Sequence, residues 1–358
     1  MKKKIVFASH DPGGCNLLVP IIDALSSNPN YTIFLLMAGP AKMKTMRFSD
    51  FGDRQIELTT FPLENFPNEY DVLPSEIEVV LDEIKPDILF TSTSINSNIE
   101  RYVIQYGEMS GIPTMSYVDS WIGEDIRFNS DKINVCPNYI LVCDEQMKGP
   151  YLKFESENCH IVTVGNPHLE KLAAEFQRVT SMVQIEEDRI LFFCENLKHY
   201  YPSEKFNEIA VLQNILSNYN YPRKLQIVVR PHPLESKSHW VNFIKGSESQ
   251  LNEFITICLD DTSDLRISIE KSLLTFGVSS MALIEASIMG KYTFSFQVGI
   301  QGNRKFLYIP FETYGIISCG TIEEVCEQLS LAGSQISGYK PNNETSVVDN
   351  IMDLLNSL

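Results

Sequence analysis

Residues 225–233 read LQIVVRPHP and join an apolar run to a polar turn with two prolines. Four of the first five residues are apolar, which predicts a strand buried on both faces, as in a parallel sheet. Pro231 and Pro233 lack an N–H and fix φ, so strand pairing is expected to stop there. Arg230 and His232 would then lie at the carboxyl edge of the sheet, where open α/β folds bind ligands. A guanidinium suits a phosphate and an imidazole can exchange a proton, although the same residues would also fit an ordinary surface turn.

A second informative stretch is residues 277–291, GVSSMALIEASIMGK, which follows a predicted strand. Ser279 or Ser280 is expected to begin a helix, whose free N–H groups and dipole make an anion site. Glu285 lies about a turn and a half into that helix among apolar neighbours, so it needs a partner, and a ribose diol would serve. In the alternative interpretation, a capped core helix points Glu285 to solvent. Gly290 is expected to end the helix.

The amino-terminal region opens with a strand, a glycine-bearing loop and a helix, at residues 4–9, 10–16 and 17–25. Glycines let a ligand approach the backbone and the start of the helix, so the loop predicts acceptor contacts at Gly13, Gly14 and Asn16. Asp11 or His10 would serve as the base, or Asp11 would simply cap the helix of a tight turn. The loop HDPGGCN is not GxGxxG, which disfavours NAD(P).

Polar groups also follow two other predicted strands of this region. Asp119 and Trp121, with Glu124 beyond them, come after residues 114–118 and suit a sugar-binding cleft in which a ring stacks and a carboxylate takes a proton. A lone carboxylate at such a place is more often structural. The hydroxyl cluster TSTS at 91–94 would bond a substrate or, in the favoured interpretation, cap the next helix.

The composition restricts the classes of function. A formal net charge of −17 disfavours nucleic acid and anionic lipid as partners, so an anionic ligand needs a local site. The eight cysteines contain no CxxC pair, which favours reduced thiols in the cytoplasm over a disulfide frame or a zinc site. The start of the sequence has too short an apolar run for a signal peptide, and no stretch approaches the roughly 18 apolar residues of a membrane span.

The predicted elements form two strand–helix series joined by a linker, as expected for 358 residues. The predicted strands are residues 4–9, 31–37, 56–59, 87–91, 114–118, 139–142, 160–164, 189–193, 225–229, 254–258, 273–276 and 292–296. The predicted domains are an amino-terminal Rossmann-like domain (1–168), a linker (169–187), a carboxyl-terminal Rossmann-like domain (188–340) and a tail (341–358) with a last amphipathic helix. The expected fold class is α/β, with two doubly wound domains facing across a cleft.

With these motifs in order, the chain resembles GT-B glycosyltransferase-like proteins of bacterial surface-polysaccharide synthesis. The resemblance is carried by HDPGGCN (10–16), GNP (165–167), RPHP (230–233) and GVSSMALIEASIMGK (277–291). RPHP is similar to the motif of transferases that use CMP- or CDP-activated donors. The hydrolysing and non-hydrolysing UDP-GlcNAc 2-epimerases share the fold and a GNP-type junction, but RPHP is not typical of them and neither Asp119 nor Glu124 matches their acidic residues.

The resemblance implies roles for the residues of the second domain. Arg230 and His232 would hold the donor's phosphates, with His232 protonating the departing nucleotide. Ser279 and Ser280 would bind the same phosphates, and Glu285 would take the ribose hydroxyls.

On the amino-terminal domain, the resemblance implies that Asp11 is the general base, with His10 and Asp119 as substitutes, and that the tail helix crosses back onto this domain. The implied activity is transfer of a sugar from a nucleotide-activated donor to a hydroxyl of a glycan or lipid-linked acceptor. No DxD pair adjoins the donor site and Asp260-Asp261 is interpreted as a strand-end turn, so neither a metal nor a cofactor is expected. The alternatives are a 2-epimerase of the same fold and a non-catalytic nucleotide-sugar-binding module. The base of the donor, peripheral membrane association and a homodimer stay open.

Overall fold

The fold was analysed on a computed structural model of the chain. The model describes residues 2–45, 56–60 (backbone only), 74–95, 97–121, 123–130, 133–178, 184–195, 197, 207–232, 235–247, 253–296, 309–334, 337–339 and 346–358. The chain divides into two compact units, of which the first comprises residues 1–171 with 343–358 and the second residues 172–342.

The first unit is a parallel sheet flanked by helices. Its strands are β1 (Lys3–Ser9), β2 (Tyr31–Met37), β3 (Ile56–Thr60), β4 (Ile88–Thr91), β5 (Thr114–Tyr117), β6 (Tyr139–Val142) and β7 (His160–Thr163). The sheet order is β3-β2-β1-β4-β5-β6-β7. Its helices are α1 (Pro12–Ser26), α2 (Ala41–Thr45), α3 (Ser75–Ile84), α4 (Ile99–Ser110), α5 (Glu124–Phe128), α6 (Glu145–Tyr151), the start of α7 (Pro167–Arg178) and the tail helix α13 (Val347–Ser357).

The second unit repeats this architecture with a smaller parallel sheet. Its strands are β8 (Arg189–Phe193), β9 (Leu225–Arg230), β10 (Ile255–Leu259), β11 (Leu274–Gly277), β12 (Tyr292–Phe296) and β13 (Ile317–Cys319). The sheet order is β10-β9-β8-β11-β12-β13. Its helices, besides the end of α7, are α8 (Glu208–Asn218), α9 (Lys237–Ser247), α10 (Leu265–Lys271), α11 (Met281–Ile288) and α12 (Ile322–Ser330), with a 3₁₀ turn at Phe311–Tyr314.

Both sheets are doubly wound, which confirms the predicted fold class. Their central strands are almost continuously apolar because helices cover both faces, and every residue of β8 is buried. In each sheet the strand order reverses between two neighbours, β1 and β4 in the first unit and β8 and β11 in the second. The loops leave such neighbours in opposite directions, so the carboxyl edge there forms a crevice in which open α/β folds bind ligands.

The tail helix packs on the first unit. Tyr31 Oη donates to Asn356 Oδ1 at 2.7 Å, and the main-chain N–H of Val347 donates to Glu170 Oε2 at 3.0 Å. Gly165 has a φ of +103° and its backbone lies against the Val347 side chain, so the GNP junction needs glycine here for both conformation and space.

The structure departs from the sequence predictions of local structure in two places. Residues 10–16 are not a loop, because α1 already begins at Pro12, a residue whose fixed φ suits the first helical position. The predicted linker 169–187 contains the division between the two units, its first part belongs to helix α7, and its residues 179–183 lie outside the described residues. Strand β13 was not predicted, since it is a three-residue edge strand with two exposed residues.

Other predictions lie wholly or partly outside the described residues. These are Pro233 and the first five residues, 341–345, of the predicted tail. Among the helices that the structure does describe, none has both the length and the hydropathy needed to span a lipid bilayer.

Candidate functional site

A cavity of about 410 Å³ lies at the carboxyl edge of the second sheet. Arg230 and His232 reach it from the end of β9, and Ser280 from the start of α11. The structure therefore brings together three groups that the sequence assigned to one phosphate site. The other lining residues include Cys194, Glu235, Lys237, Asp260, Thr262 and Ser263.

The guanidinium of Arg230 is held in a fixed position by three acceptors. Its Nη1 donates to Asp260 Oδ2 at 2.5 Å and to the Thr262 carbonyl at 2.8 Å, and its Nη2 donates to the Ser263 carbonyl at 3.2 Å. A guanidinium carries five N–H donors. Two of them, Nε–H and one on Nη2, have no hydrogen-bond partner within the described part of the chain. A guanidinium that faces a cavity with two N–H donors unused can bind a phosphate.

Asp260 is a hydrogen-bond partner of two arginines. The interpretation of Asp260-Asp261 as a strand-end turn did not include these contacts. The buried carboxylate accepts from Arg189 Nη2 at 3.1 Å as well as from Arg230, and from Ser268 Oγ at 2.6 Å. Burial alone would raise its pKa, but the hydrogen bonds from Ser268 and Arg230 outweigh burial and lower it. Glu186 Oε2 lies 3.9 Å from Arg189 Nη1, so two carboxylates are paired with the two guanidinium groups of this network. The available signal was that β9 and β10 are neighbouring parallel strands, so Arg230 and Asp260 follow adjacent strand ends.

His232 is fixed through its main chain. Its N–H donates to Glu235 Oε2 at 2.9 Å, while the N–H of Glu235 donates back to the His232 carbonyl at 2.9 Å. Burial raises the pKa of the Glu235 carboxyl, and the charge of Glu208 adds to this. The turn after β9 is thus closed by a carboxylate, and it places the His232 side chain on the cavity.

The start of α11 is only partly available to a ligand. Ser280 caps the helix by accepting from the Ala282 N–H at 3.3 Å. Ser279 does not face an empty anion site: its main-chain N–H donates to Glu195 Oε1 at 2.6 Å, and its hydroxyl donates to Glu195 Oε2. A carboxylate therefore occupies the donors of Ser279 in this structure, and the contact of Ser279 with a phosphate stays a prediction. Glu285, half-buried on α11, is described here only by its place in the helix, and its contact with a ribose stays a prediction.

Glu195 is the site residue that sequence reasoning missed. It follows β8, and Val278 and Ser279 follow β11, so these residues meet at the point where the strand order reverses. Burial raises the pKa of Glu195 to about 7, against the hydrogen bonds from Ser279 that lower it. The pattern of a buried strand followed directly by Cys-Glu-Asn was visible in the sequence, but its partner was not.

In the first unit, His10 and Asp11 form an ion pair directly after β1. His10 Nδ1 lies 2.7 Å from Asp11 Oδ1. Burial raises the pKa of Asp11, but hydrogen bonds from His10 and Ser94 outweigh it and bring the pKa below its usual value. Burial lowers the pKa of His10, yet the bond to Asp11 and its charge raise it overall. Asp11 stands at the N-cap of α1 and makes no side-chain cap bond, so the alternative interpretation as a helix cap is wrong.

A buried glutamate, Glu100 of α4, supports this pair. Its Oε1 accepts from the His10 main-chain N–H at 2.9 Å and from Ser92 Oγ at 3.2 Å. Its Oε2 is buried without a hydrogen-bond partner among the residues described. Burial, with the nearby charge of Asp11, raises the pKa of Glu100 to about 7. The sequence of α4 and of the residues before it did not indicate that a carboxylate of this helix would lie at the carboxyl edge of the sheet.

Asp119 lies at the same edge, beside the start of α1. Its Oδ1 accepts from Arg127 Nη1 at 2.5 Å, and Thr93 Oγ1 accepts from the same guanidinium at 2.6 Å. A Cβ on Gly13 would lie 2.5 Å from Asp119 Oδ2, so the glycine makes room for this carboxylate. The hydroxyls of Ser92, Thr93 and Ser94 bond charged groups, whereas Thr91 Oγ1 pairs with Ser116 Oγ at 2.7 Å. The N-cap position of α4 is Asn98, which corrects the favoured interpretation of that cluster.

The residues that were predicted to contact an acceptor lie in helix α1 or in the core, and not on an open loop. Gly14 and Asn16 lie in the first turns of α1, where Gly14 packs against Ser92 and Asn16 Oδ1 accepts from Lys44 Nζ at 2.5 Å. Trp121 is 1% exposed and its indole N–H donates to Asp144 Oδ2 at 2.8 Å. The expectation that Trp121 stacks on a sugar is therefore wrong in this structure, because its ring is part of the core.

Within the residues that the structure describes, no group of three or more His, Cys, Asp or Glu side chains could hold a metal ion. The metal independence expected from the sequence stays a prediction.

Comparison with known proteins identifies the fold. No protein-family model matches the chain, and no curated protein matches it. A UDP-GlcNAc 2-epimerase from Methanocaldococcus jannaschii is 16% identical, with a TM-score of 0.67 and 99% of each chain covered. A Neisseria meningitidis UDP-GlcNAc 2-epimerase bound to UDP-GlcNAc is 13% identical, with a TM-score of 0.68 over 99% of this chain and 100% of that one. The apo form of the lipopolysaccharide outer core galactosyltransferase WaaB is 13% identical, with a TM-score of 0.58 over 99% of each chain. Similarity at these identities establishes the architecture alone, and the chain has the GT-B fold of two Rossmann-like domains.

Proposed function

We propose that the protein is a glycosyltransferase that moves a sugar from a nucleotide-activated donor to a hydroxyl acceptor. The observation that carries the proposal is that Arg230, His232 and Ser280 line one cavity at the reversal point of the second sheet. In a chain with a net charge of −17, such a grouping of donors is a local site for an anion. The similar epimerase and galactosyltransferase structures support a nucleotide-sugar as that anion.

The donor's phosphates are proposed to bind the two remaining N–H groups of Arg230 and the start of α11, with Glu285 on the ribose. As the bond between the anomeric carbon and the phosphate oxygen breaks, negative charge grows on that oxygen, and His232 donates a proton to it. Fixed donors aimed at a developing oxyanion are usually the largest single contribution to catalysis, and losing one costs about 2.7–4 kcal/mol.

The acceptor hydroxyl is proposed to lose its proton to Asp11. The ion pair with His10 keeps Asp11 ionised, and an ionised carboxylate can accept a proton while the hydroxyl oxygen attacks the anomeric carbon. General-base assistance of this kind contributes roughly 10²–10⁴-fold. Asp119 is the second candidate, and its Oδ2 lies beside the exposed backbone of Gly13, while its Oδ1 is bonded to Arg127.

The first experiment is a calorimetric binding panel with CMP, CDP, UDP, GDP and TDP, which identifies the donor base. The matching nucleotide-sugar is then incubated with the protein alone and with a set of simple glycosides, with and without a chelator, and followed by proton NMR. We expect donor consumption only when an acceptor is present, with or without the chelator. Formation of an epimer without acceptor would identify a 2-epimerase. Binding without turnover under any condition would identify a non-catalytic binding module.

A further inference from the structure

Glu195 occupies donors that a phosphate at the start of α11 would use. Its Oε1 accepts the main-chain N–H groups of Val278 at 3.2 Å and Ser279 at 2.6 Å, and its Oε2 accepts the Ser279 hydroxyl. Ser279 directly precedes Ser280, which lines the cavity, and Cys194 lines it on the other side. Glu195 itself is half-buried and is not among the residues that line the cavity. Its carboxylate thus sets both the hydrogen bonding and the charge of the loop that forms one wall of the cavity.

The charged groups around Glu195 do not neutralise it. Its partners among the described residues are N–H and O–H groups, and its own main-chain N–H donates to Glu208 Oε1 at 3.0 Å. Glu208 is buried at the start of α8, and the half-buried Glu235 lies on the turn after β9. The cationic groups of the cavity are Arg230, Lys237 and, when protonated, His232, and the Arg230 charge is shared with Asp260.

We propose that Glu195 is a positioning residue that must be neutral when the phosphates of a donor bind, so that donor binding takes up a proton. This inference rests on the proposed nucleotide-sugar function. It assigns a role in the same site to a residue with no part in the proposed transfer chemistry.

The hydrogen bonds give a physical reason for this coupling. An ionised Glu195 can only accept, so the Ser279 hydroxyl must donate to it and has no proton left for a phosphate. A neutral Glu195 can keep the two main-chain N–H groups on one oxygen and donate its own proton to Ser279 Oγ. The Ser279 hydroxyl is then released to donate to the ligand. Neutralisation also removes a negative charge that would repel the phosphate across a poorly solvated wall.

The expected size of the effect follows from the titration of the carboxyl. With the pKa raised to about 7 by burial, the neutral fraction falls from about 0.9 at about pH 6 to about 0.1 at about pH 8. Affinity for a donor that needs neutral Glu195 should therefore fall about tenfold over this range. His232 and Glu235 are further ionisable groups that line the same cavity, so the wild-type pH profile alone does not isolate Glu195.

The test compares Glu195→Gln with Glu195→Ala. A glutamine can accept the same N–H groups with its oxygen and donate to Ser279 Oγ with its amide, so it copies the neutral acid at every pH. An alanine removes the anchor of the loop. Glu324→Gln is the matched control, because Glu324 also accepts two main-chain N–H groups in the second unit but does not line the cavity.

Calorimetry is run at about pH 6, 7 and 8 with UDP-GlcNAc, CDP-glucose, GDP-mannose and CMP-sialic acid, which carry no terminal phosphate and therefore keep a constant phosphate charge over this range. Proton uptake is read from buffers of different ionisation enthalpy, and the nucleoside without phosphate is titrated in parallel. We expect wild-type affinity for the best ligand to fall about tenfold from low to high pH with proton uptake. Glu195→Gln should bind at high pH as the wild type does at low pH, Glu195→Ala should bind weakly throughout, and Glu324→Gln should keep the wild-type profile.

Two results would overturn the inference while leaving the proposed function standing. The first is a Glu195→Gln variant that keeps the full pH dependence of the wild type. The second is a Glu195→Gln variant as weak as Glu195→Ala at all pH values, which would make Glu195 a purely structural anchor. A wild type that binds none of the four nucleotide-sugars would refute the proposed function and the inference with it.

Discussion

Replacing Arg230 by lysine tests whether this side chain binds phosphate or only supports the fold. Arg230 keeps the acceptors Asp260, Thr262 and Ser263 occupied with three of its five N–H donors, which leaves two for a ligand. A lysine has three donors, all of which the same acceptors can take. Arg230→Lys therefore preserves the positive charge beside Asp260 but leaves no unused N–H donor for the phosphate.

The magnitude follows from the two lost bonds. A hydrogen bond to a charged group contributes about 1.5–3 kcal/mol, so two of them correspond to at least about 3 kcal/mol. At about 1.4 kcal/mol for each factor of ten, the variant should bind the donor at least about 100-fold more weakly. The loss in kcat/KM for donor consumption should be at least as large, because charge on the phosphate grows during the reaction.

Arg189→Lys is the matched control. Arg189 donates to the same Asp260 carboxylate, but its side chain is 7% exposed and it is not among the residues that line the cavity. We expect this variant to lower the Tm, since disturbing a buried ion pair is costly, and to change the Kd of the donor by less than about threefold. Binding is measured by calorimetry and Tm by differential scanning fluorimetry. If Arg230→Lys binds the donor as tightly as the wild type, or if Arg189→Lys loses as much affinity, Arg230 is not the phosphate ligand.

Three further predictions concern the first unit. Asp11→Asn should lower kcat by roughly 10²–10⁴-fold with little change in donor Kd, and an unchanged kcat would exclude Asp11 as the base. Gly13→Ala should lower kcat because its Cβ would lie 2.5 Å from Asp119 Oδ2, whereas Gly149→Ala, with no neighbour within 4 Å of the added Cβ, should leave it unchanged. Equal activity of the two alanine variants would contradict the crowding argument. Because the pKa of His10 is raised and that of Asp11 lowered, the pair's stabilisation is complete below the ordinary His pKa of 6.5 and above the ordinary Asp value of 3.8. His10→Asn should therefore cost more unfolding free energy, measured with urea, at about pH 5.5 than at about pH 8.5, and a pH-independent cost would refute the ion pair.

The positions of the strands could be predicted because each is encoded locally. A parallel strand covered on both faces must be apolar at nearly every position, so runs such as those of β8 and β9 stand out without knowledge of their neighbours. The sheet edge at which Arg230 and Ser280 lie follows from the same information, because each comes directly after such a strand. Their meeting in one cavity also depends on the strand order, in which only β8 separates β9 from β11.

The partners of the acidic residues could not be predicted, because each pairing crosses between segments far apart in sequence. Glu195 meets Ser279 across the reversal of strand order, and Asp260 meets Arg189 from a strand that is not its neighbour. Trp121 shows a different limit. An aromatic residue after a strand suits a binding surface or a core equally well, and only the burial of its ring and its bond to Asp144 decide between them.

The carboxylates of Asp260 and Glu195 should have opposite effects on the affinity of the cavity for an anion. Asp260 is shared by two guanidinium groups, so it holds Arg230 in place before a ligand arrives and reduces the ordering that binding would otherwise require. Glu195 is bonded only to N–H and O–H groups among the described residues, so its charge opposes an anion. At about pH 8, Asp260→Asn should therefore weaken binding of a nucleotide-sugar, whereas Glu195→Gln should strengthen it. Calorimetry on the two amide variants, with folding checked by Tm, measures both signs. A shift of the same sign in both variants would mean that the summed charge of the cavity, and not the partner of each carboxylate, governs its affinity for phosphate.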